Sequence, residues 1–212
     1  MSFEKNNYND LSLIAAKLRI HCLESLFKAG SGHPGSSLSI TEILASLFFR
    51  EMNMDEPNRD RFVLSKGHAV PMLYSVFHEL KLISKEELLS LRNPNSRLQG
   101  HPDMTKLDVL DSGSGALGQG LSISIGYALA ATMVEHNVRS YCLLGDGEIQ
   151  EGQIWEAAMF AGANKLNNLC AIIDANGFQN ETSVVHTLPI DPIAEKWKSF
   201  GWNTVEVDGH SF

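Results

Sequence analysis

Cysteine is scarce in this chain: Cys22, Cys142 and Cys170 are the only three among 212 residues. They are odd in number, sit in apolar surroundings and show neither CxxC nor Cys/His ligand spacing. They are therefore expected to be buried small hydrophobes in a reducing compartment, which points to the cytoplasm. Runs of Lys and Arg are absent. Lys+Arg number 17 against 25 Asp+Glu, a formal net charge of −8, so a sequence-independent grip on nucleic acid is excluded. A long apolar run is missing too. The longest uncharged stretch, Ser112 to Val134, carries five glycines, four serines and a Gln, too polar for a membrane span. The opening MSFEKNNYND has no apolar core, so no secretory signal is expected. There is no internal repeat, low-complexity tract or linker. The absence of HExxH, a nucleophile elbow and a Walker motif argues against zinc proteases, serine hydrolases and P-loop NTPases.

What is present is an ordinary globular composition, 43% hydrophobic and 20% charged, in a chain long enough to bury a core without staples. Asn9-Asp10 is expected to cap a helix with Leu11, Ile14, Ala15, Leu18, His21, Cys22 and Leu26 on one face, which stops at Ala29-Gly30. A small-residue loop over 30–37 follows, then a helix from Thr41 to Phe49. Arg61 to Leu64 reads as a short strand and Lys66 to Leu82 as a helix opened by Gly67-His68-Ala69. Ser84 with Glu87 forms a capping box for a helix ending near Arg92. Residues 93–112 read as loop and Gly118 to Glu135 as a helix apolar nearly all round. Ser140 to Leu144, Leu169 to Asp174 and Trp202 to Val207 read as strands, separated by helices over 150–163 and 191–200. Unalternated apolar strands between helices predict an α/β fold, a doubly wound, mostly parallel sheet with helices on both faces.

Three features could carry chemistry. Gly113-Ser-Gly115-Ala-Leu-Gly118 fits GxGxxG, but no buried strand precedes it and Glu135 ends the helix instead of a following strand, so a nicotinamide site is disfavoured. Gly145-Asp146-Gly147-Glu148 and Ala175-Asn176-Gly177-Phe178 fall at the carboxyl ends of two predicted parallel strands, where open α/β sheets bind ligands. Asp146 and Asn176 are hard oxygen donors suited to a divalent cation that also takes phosphate oxygens, and the helix beginning near Gln150 aims its positive end there. Two ordinary polar turns are the other reading. His33, His68 and His101 each lie in a Gly- or Pro-flanked loop. Alone, each would be a turn residue or a cap; three in one chain favour convergence on a cleft.

Together, GSGHPGSSLS (30–39), DRFVLSKGHAVPMLYSVF (60–77), GHPD (100–103), DSGSGALGQGLSISIGYA (111–128) and GDGEIQEGQIWEAAMFAGANKLNNLCAIIDANGFQ (145–179) resemble the N-terminal, diphosphate-binding domain of transketolases. The likeness covers nearly the whole chain and suggests the N-terminal subunit of a split transketolase, with residues 1–212 as a single diphosphate-binding domain. It implies thiamine diphosphate as cofactor. Mg²⁺ (or Ca²⁺) would be held by Asp146, Asn176 and the Phe178 carbonyl, with Gly145 and Glu148 also in the cofactor-binding set. His68 and the Gly147 amide would touch the diphosphate, and Gly115, Leu117 and Gly118 would wall the cofactor. His33 and His101 would act on donor hydroxyls and proton transfers, and Glu151 would meet its symmetry mate at a dimer interface.

The reaction implied is two-carbon ketol transfer from a ketose phosphate to an aldose phosphate, as in the pentose phosphate pathway. The family's activating glutamate belongs to a pyrimidine-binding domain not found here, so a second, C-terminal subunit carrying it is expected. The assembly would be a heterotetramer or self-associated dimer, with no nucleic acid and no membrane involved. The segment 201–212 resembles a strand and turn that the family continues, so a truncated C-terminal end with an exposed sheet edge is expected. A 1-deoxyxylulose-phosphate synthase-like enzyme and a non-catalytic transketolase-like fragment are the alternatives.

Overall fold

The computed structural model describes residues 8–180 and 182–212. The chain divides into two compact units, each built from separated stretches. One takes the residues up to Arg59 with Gly67–Gly115 and Gly209–Phe212; the other takes Asp60–Lys66 and Ala116–Asp208.

The first unit is helical: α1 (Tyr8–Ala29), α2 (Pro34–Ser39), α3 (Thr41–Ser46), α4 (Val70–Glu79) and α5 (Lys85–Leu88). On α1 the apolar residues of the predicted face, Leu11 through Leu26, are buried, and His21 on the same face is half-buried. The helix packs against α3 and α4, and each buried leucine or isoleucine contributes about 1.5–3 kcal/mol. The helix stops where Gly30 N–H turns back to the Leu26 carbonyl at 3.0 Å. At its start α1 takes in Asn9 and Asp10 rather than following them; the side chains of that expected cap lie outside the described ones. The predicted 30–37 loop is part helix, because Pro34 sits in the first turn of α2, where a missing N–H costs nothing. A wide π-turn over Leu47–Glu51 continues α3. Ser84 caps α5 as expected, its hydroxyl accepting from the Glu87 N–H at 3.1 Å, though α5 ends at Leu88, short of Arg92.

The second unit holds the sheet. Strands β1 (Arg61–Leu64), β2 (Ser140–Gly145) and β3 (Leu169–Asp174) lie in the order β1-β2-β3, all parallel. β2 is buried along its whole length, as its continuous apolar run requires. Helices α6 (Gly120–Met133), α7 (Gly152–Ala163), α8 (Val184–Thr187) and α9 (Ile193–Ser199) complete the unit. Leu121, Ile125, Leu144, Ile154, Ala158 and Trp197 share its core.

Three expectations fail here for physical reasons. Residues 202–207 join no strand; Trp202 instead docks on the helices, its indole N–H donating to the Ala158 carbonyl at 2.9 Å and its ring edge-on to Trp197, while Val205 and Val207 are exposed. Cys170 is exposed, unlike Cys22 and Cys142, because β3 is an edge strand with partly open faces. Helix α6 buries only one side, and Met133 stands in solvent.

Candidate functional site

In the second unit, the register Gly145↔Asp174 brings the carboxyl ends of β2 and β3 side by side. Asp146 and Asn176 therefore leave adjacent strand ends. Asp146 is 4% exposed. Its carboxylate accepts from the Gly147 N–H at 2.9 Å and the Gly177 N–H at 2.7 Å. Burial raises its pKa against the pull of those two amides, and a bound cation would favour the ionised form. The Asn176 amide oxygen accepts from the Phe178 N–H at 2.9 Å, and its NH₂ donates to Asp174 at 3.0 Å. Asp174 in turn pairs with the Lys66 ammonium at 2.5 Å, both groups buried. Phe178 opposes Ser183 in an antiparallel bridge flanked by bonds from Gln179 N–H to the Thr182 carbonyl and from Val184 N–H to the Gly177 carbonyl. In that pattern Phe178 is the non-bonded partner, so its carbonyl points away from the bridge.

Glu148 departs from the sequence expectation. Its side chain is turned into the protein, accepting from the Ser65 hydroxyl, the Gly118 N–H and the Gly145 N–H. Burial raises its pKa. Its carboxylate ties β1, the 117–120 turn and the end of β2 together instead of facing a ligand. Gly118, at φ +85°, allows the same turn: a Cβ there would lie 2.8 Å from Gln153 Nε2, and Gln153 itself donates to the Leu117 carbonyl at 2.9 Å. Leu117 and Glu151 are exposed, Glu151 as the residue preceding α7. A single 3₁₀ turn over Glu148–Gln150 intervenes, so α7 starts at Gly152 rather than Gln150.

In the first unit, His33 precedes α2 and His68 lies in the turn before α4. Their rings meet edge to face, 5.2 Å between centroids. His101 is placed by a loop anchored at both sides: the Tyr74 hydroxyl donates to the Gln99 carbonyl at 3.1 Å, and the Ser114 N–H to the Pro102 carbonyl at 3.1 Å. Its ring lies against Gly115. A bidentate Arg59–Asp111 pair at 2.6 and 3.1 Å fixes the loop upstream of Gly113. Burial and the nearby Arg92 charge lower the His101 pKa, favouring the neutral imidazole. Residues 99–105 with Gly113 and Ser114 line an open depression of about 500 Å³.

The chain matches the family model described as transketolase, thiamine diphosphate binding domain, over residues 11–211. The chain belongs to the transketolase family, as its thiamine diphosphate-binding domain. It is 43% identical over 207 residues to the 6-deoxy-6-sulfo-D-fructose transketolase subunit of Clostridium sp. (strain MSTE9), covering 95% of this chain and 75% of that one. It is 44% identical to the transketolase of Mus musculus, covering 93% of this chain and 32% of the relative. The crystal structure of transketolase from Campylobacter jejuni superposes with a TM-score of 0.89 at 33% identity, over 97% of this chain and 34% of that one. The chain thus spans about a third of such full-length transketolases.

The transketolase residues suit the cofactor implied by the family. Among the described residues no cluster of three or more His, Cys, Asp or Glu could hold a metal alone. The strand ends offer a different set: one buried carboxylate, one amide oxygen of fixed direction and one carbonyl aimed out of its bridge. All are hard oxygens, and they would leave the remaining positions of a divalent cation to a diphosphate. No described helix is long and apolar enough to cross a membrane. Sequence reasoning missed Lys66, Asp174 and Ser65. A lysine closing an apolar strand inside SKGH was the signal for the first.

Proposed function

We propose that this chain is the diphosphate-binding half of a two-chain transketolase, moving a two-carbon ketol unit from a ketose phosphate to an aldose phosphate. The observation that carries the reading is the match over residues 11–211 together with 75% coverage of a relative that is itself named a transketolase subunit. The Asp146 and Asn176 side chains and the Phe178 carbonyl hold Mg²⁺ (or Ca²⁺) on the diphosphate. The Gly147 N–H and His68 bond the diphosphate, while Gly145, Gly115, Leu117 and Gly118 let backbone come close to the cofactor. Glu148 keeps those turns in place. When bound, thiamine diphosphate supplies the carbon centre that accepts and hands on the two-carbon unit. His33 and His101 bond the donor's hydroxyls and carry their protons.

A second chain supplies the pyrimidine-binding domain, and Glu151 lies at the interface between two copies of the assembled site. The enzyme is cytoplasmic and works on sugars of the pentose phosphate type. Native mass spectrometry of the chain isolated gently from its source cells tests this. The expected result is a heteromer with a second subunit, thiamine diphosphate and Mg²⁺, which transfers ketol units among a panel of ketose phosphates and 6-sulfonated ketoses. A chain without partner or cofactor, and without ketol transfer when thiamine diphosphate and Mg²⁺ are added to the extract, would overturn it.

A further inference from the structure

The site described above rests on Asp146, Asn176 and Phe178, yet the most buried charge among the described residues of the second unit belongs to none of them. Lys66 is 1% exposed and 108 residues away in sequence from its partner Asp174. Burying a lysine is costly unless it is paired. Nothing in the sheet requires a charge at this point, since the neighbouring β-strand positions are apolar.

The pair acts on the Asn176 amide. An amide has two ends of similar shape, and a half-turn about its last bond exchanges the oxygen for the NH₂. Asp174 Oδ2 accepts from Asn176 Nδ2 at 3.0 Å, and the Phe178 N–H donates to Asn176 Oδ1 at 2.9 Å. A carboxylate accepts only, and a backbone N–H donates only. Turning the amide over would set oxygen against carboxylate and NH₂ against N–H, so both contacts select the same orientation. Lys66 holds Asp174 in place and balances its charge beside a second carboxylate, Asp146.

We propose that Lys66 and Asp174 are positioning residues: a buried ion pair that locks the Asn176 side chain with its oxygen available as a hard donor for the divalent cation, without either residue touching that cation. Ligands of this kind depend on such outer hydrogen bonds, whose loss costs about 10- to 100-fold in metal affinity. The inference rests on the functional reading above.

The test is calorimetric titration of Mg²⁺ into the assembled enzyme with thiamine diphosphate present, for the natural chain, Asp174→Asn, and the double variant Lys66→Met/Asp174→Asn. The single variant leaves a buried ammonium unpaired and loses stability on that account alone. The double variant removes the orphaned charge, so its melting temperature recovers, but only the Phe178 N–H then favours one end of the Asn176 amide over the other, and the acceptor that fixed its NH₂ is lost. The expected result is Mg²⁺ affinity about 10- to 100-fold weaker in both variants, with kcat largely restored at saturating Mg²⁺. In ¹⁵N spectra of the metal-free enzyme, the Asn176 NH₂ resonance shifts in both. Affinity returning to the natural value in the double variant would overturn the proposal and leave the pair a matter of stability. A natural enzyme that binds thiamine diphosphate with no dependence on Mg²⁺ would overturn the functional reading first, and this inference with it.

Discussion

Single side chains here do two kinds of work, and they differ in how far they can be read from sequence. Asp146 and Asn176 read from sequence either as hard oxygen donors just past apolar strands or as two ordinary polar turns, and only the family motifs favour the first. Glu148, two residues on, looks alike on paper and behaves differently. Its carboxylate gathers Ser65, Gly118 and Gly145, partners spread over more than eighty positions of sequence. No local pattern reveals such a destination. His101 lies between these cases: its Gly-Pro context marks a loop, but only the structure adds the Arg92 charge and the burial that lower its pKa. The causes make a prediction. Arg92→Gln removes a positive charge, so the imidazolium becomes easier to form and the His101 pKa rises. Imidazole resonances followed against pH should titrate at higher pH in the variant, and the acid limb of ketol transfer should move upward with them. An unchanged titration would remove Arg92 from the account. His101→Ala should lower ketol transfer by about 10²- to 10⁴-fold, the usual worth of a placed proton carrier, with cofactor affinity retained.

Among the elements, legibility followed how much each depends on its own residues. β1 and β2 are legible because a strand buried on both faces must be a continuous apolar run; β3 carries such a run although its faces are partly open, and all three fall where those runs fall. Segment 202–207 has strand-like residues too. A strand, however, is defined by a neighbour's backbone, and Trp202 goes to α7 and α9 instead. The sequence of α2 reads as loop because Gly, Ser and Pro obscure a helix, although Pro in a first turn is itself a helix signal.

The same dependence on neighbours governs two glycines inside helices. Gly126 in α6 has nothing within 4 Å of where a Cβ would stand, whereas a Cβ on Gly162 in α7 would lie 1.9 Å from the Phe200 carbonyl oxygen. Helix propensity favours alanine over glycine at both by about 0.5–1 kcal/mol. Gly126→Ala should therefore raise the melting temperature by a few degrees, as expected for a chain of this size at about 2–4 °C per kcal/mol. Gly162→Ala should lower it by more than that, by forcing the 199–202 turn away from α7. Equal effects at the two sites would mean that close packing between α7 and that turn is not what holds Gly162.

Considered as a whole, the molecule presents its cofactor chemistry in two portions. The first unit carries the histidines and the second carries the hard oxygen set, so the sequence could name both through family motifs without showing how either is held. A metal set of one carboxylate, one amide and one carbonyl is too weak in charge to retain a divalent cation by itself. On the proposed reading it would become a strong site only when diphosphate oxygens complete the shell. Metal and cofactor should therefore stabilise the folded protein together, and far less apart. A ligand at 100 times its Kd contributes about 2.7 kcal/mol to folding, or roughly 5–11 °C in a protein of this size. For the assembled enzyme, thiamine diphosphate with Mg²⁺ should raise the melting temperature by that order. Either one alone should raise it by a small fraction of this, and EDTA added to the full mixture should return it to the cofactor-only value. Full stabilisation by thiamine diphosphate in the presence of EDTA would mean that Asp146 and Asn176 bind the diphosphate through something other than a cation. Since a carboxylate repels a diphosphate, the Asp146 assignment would then fall with it.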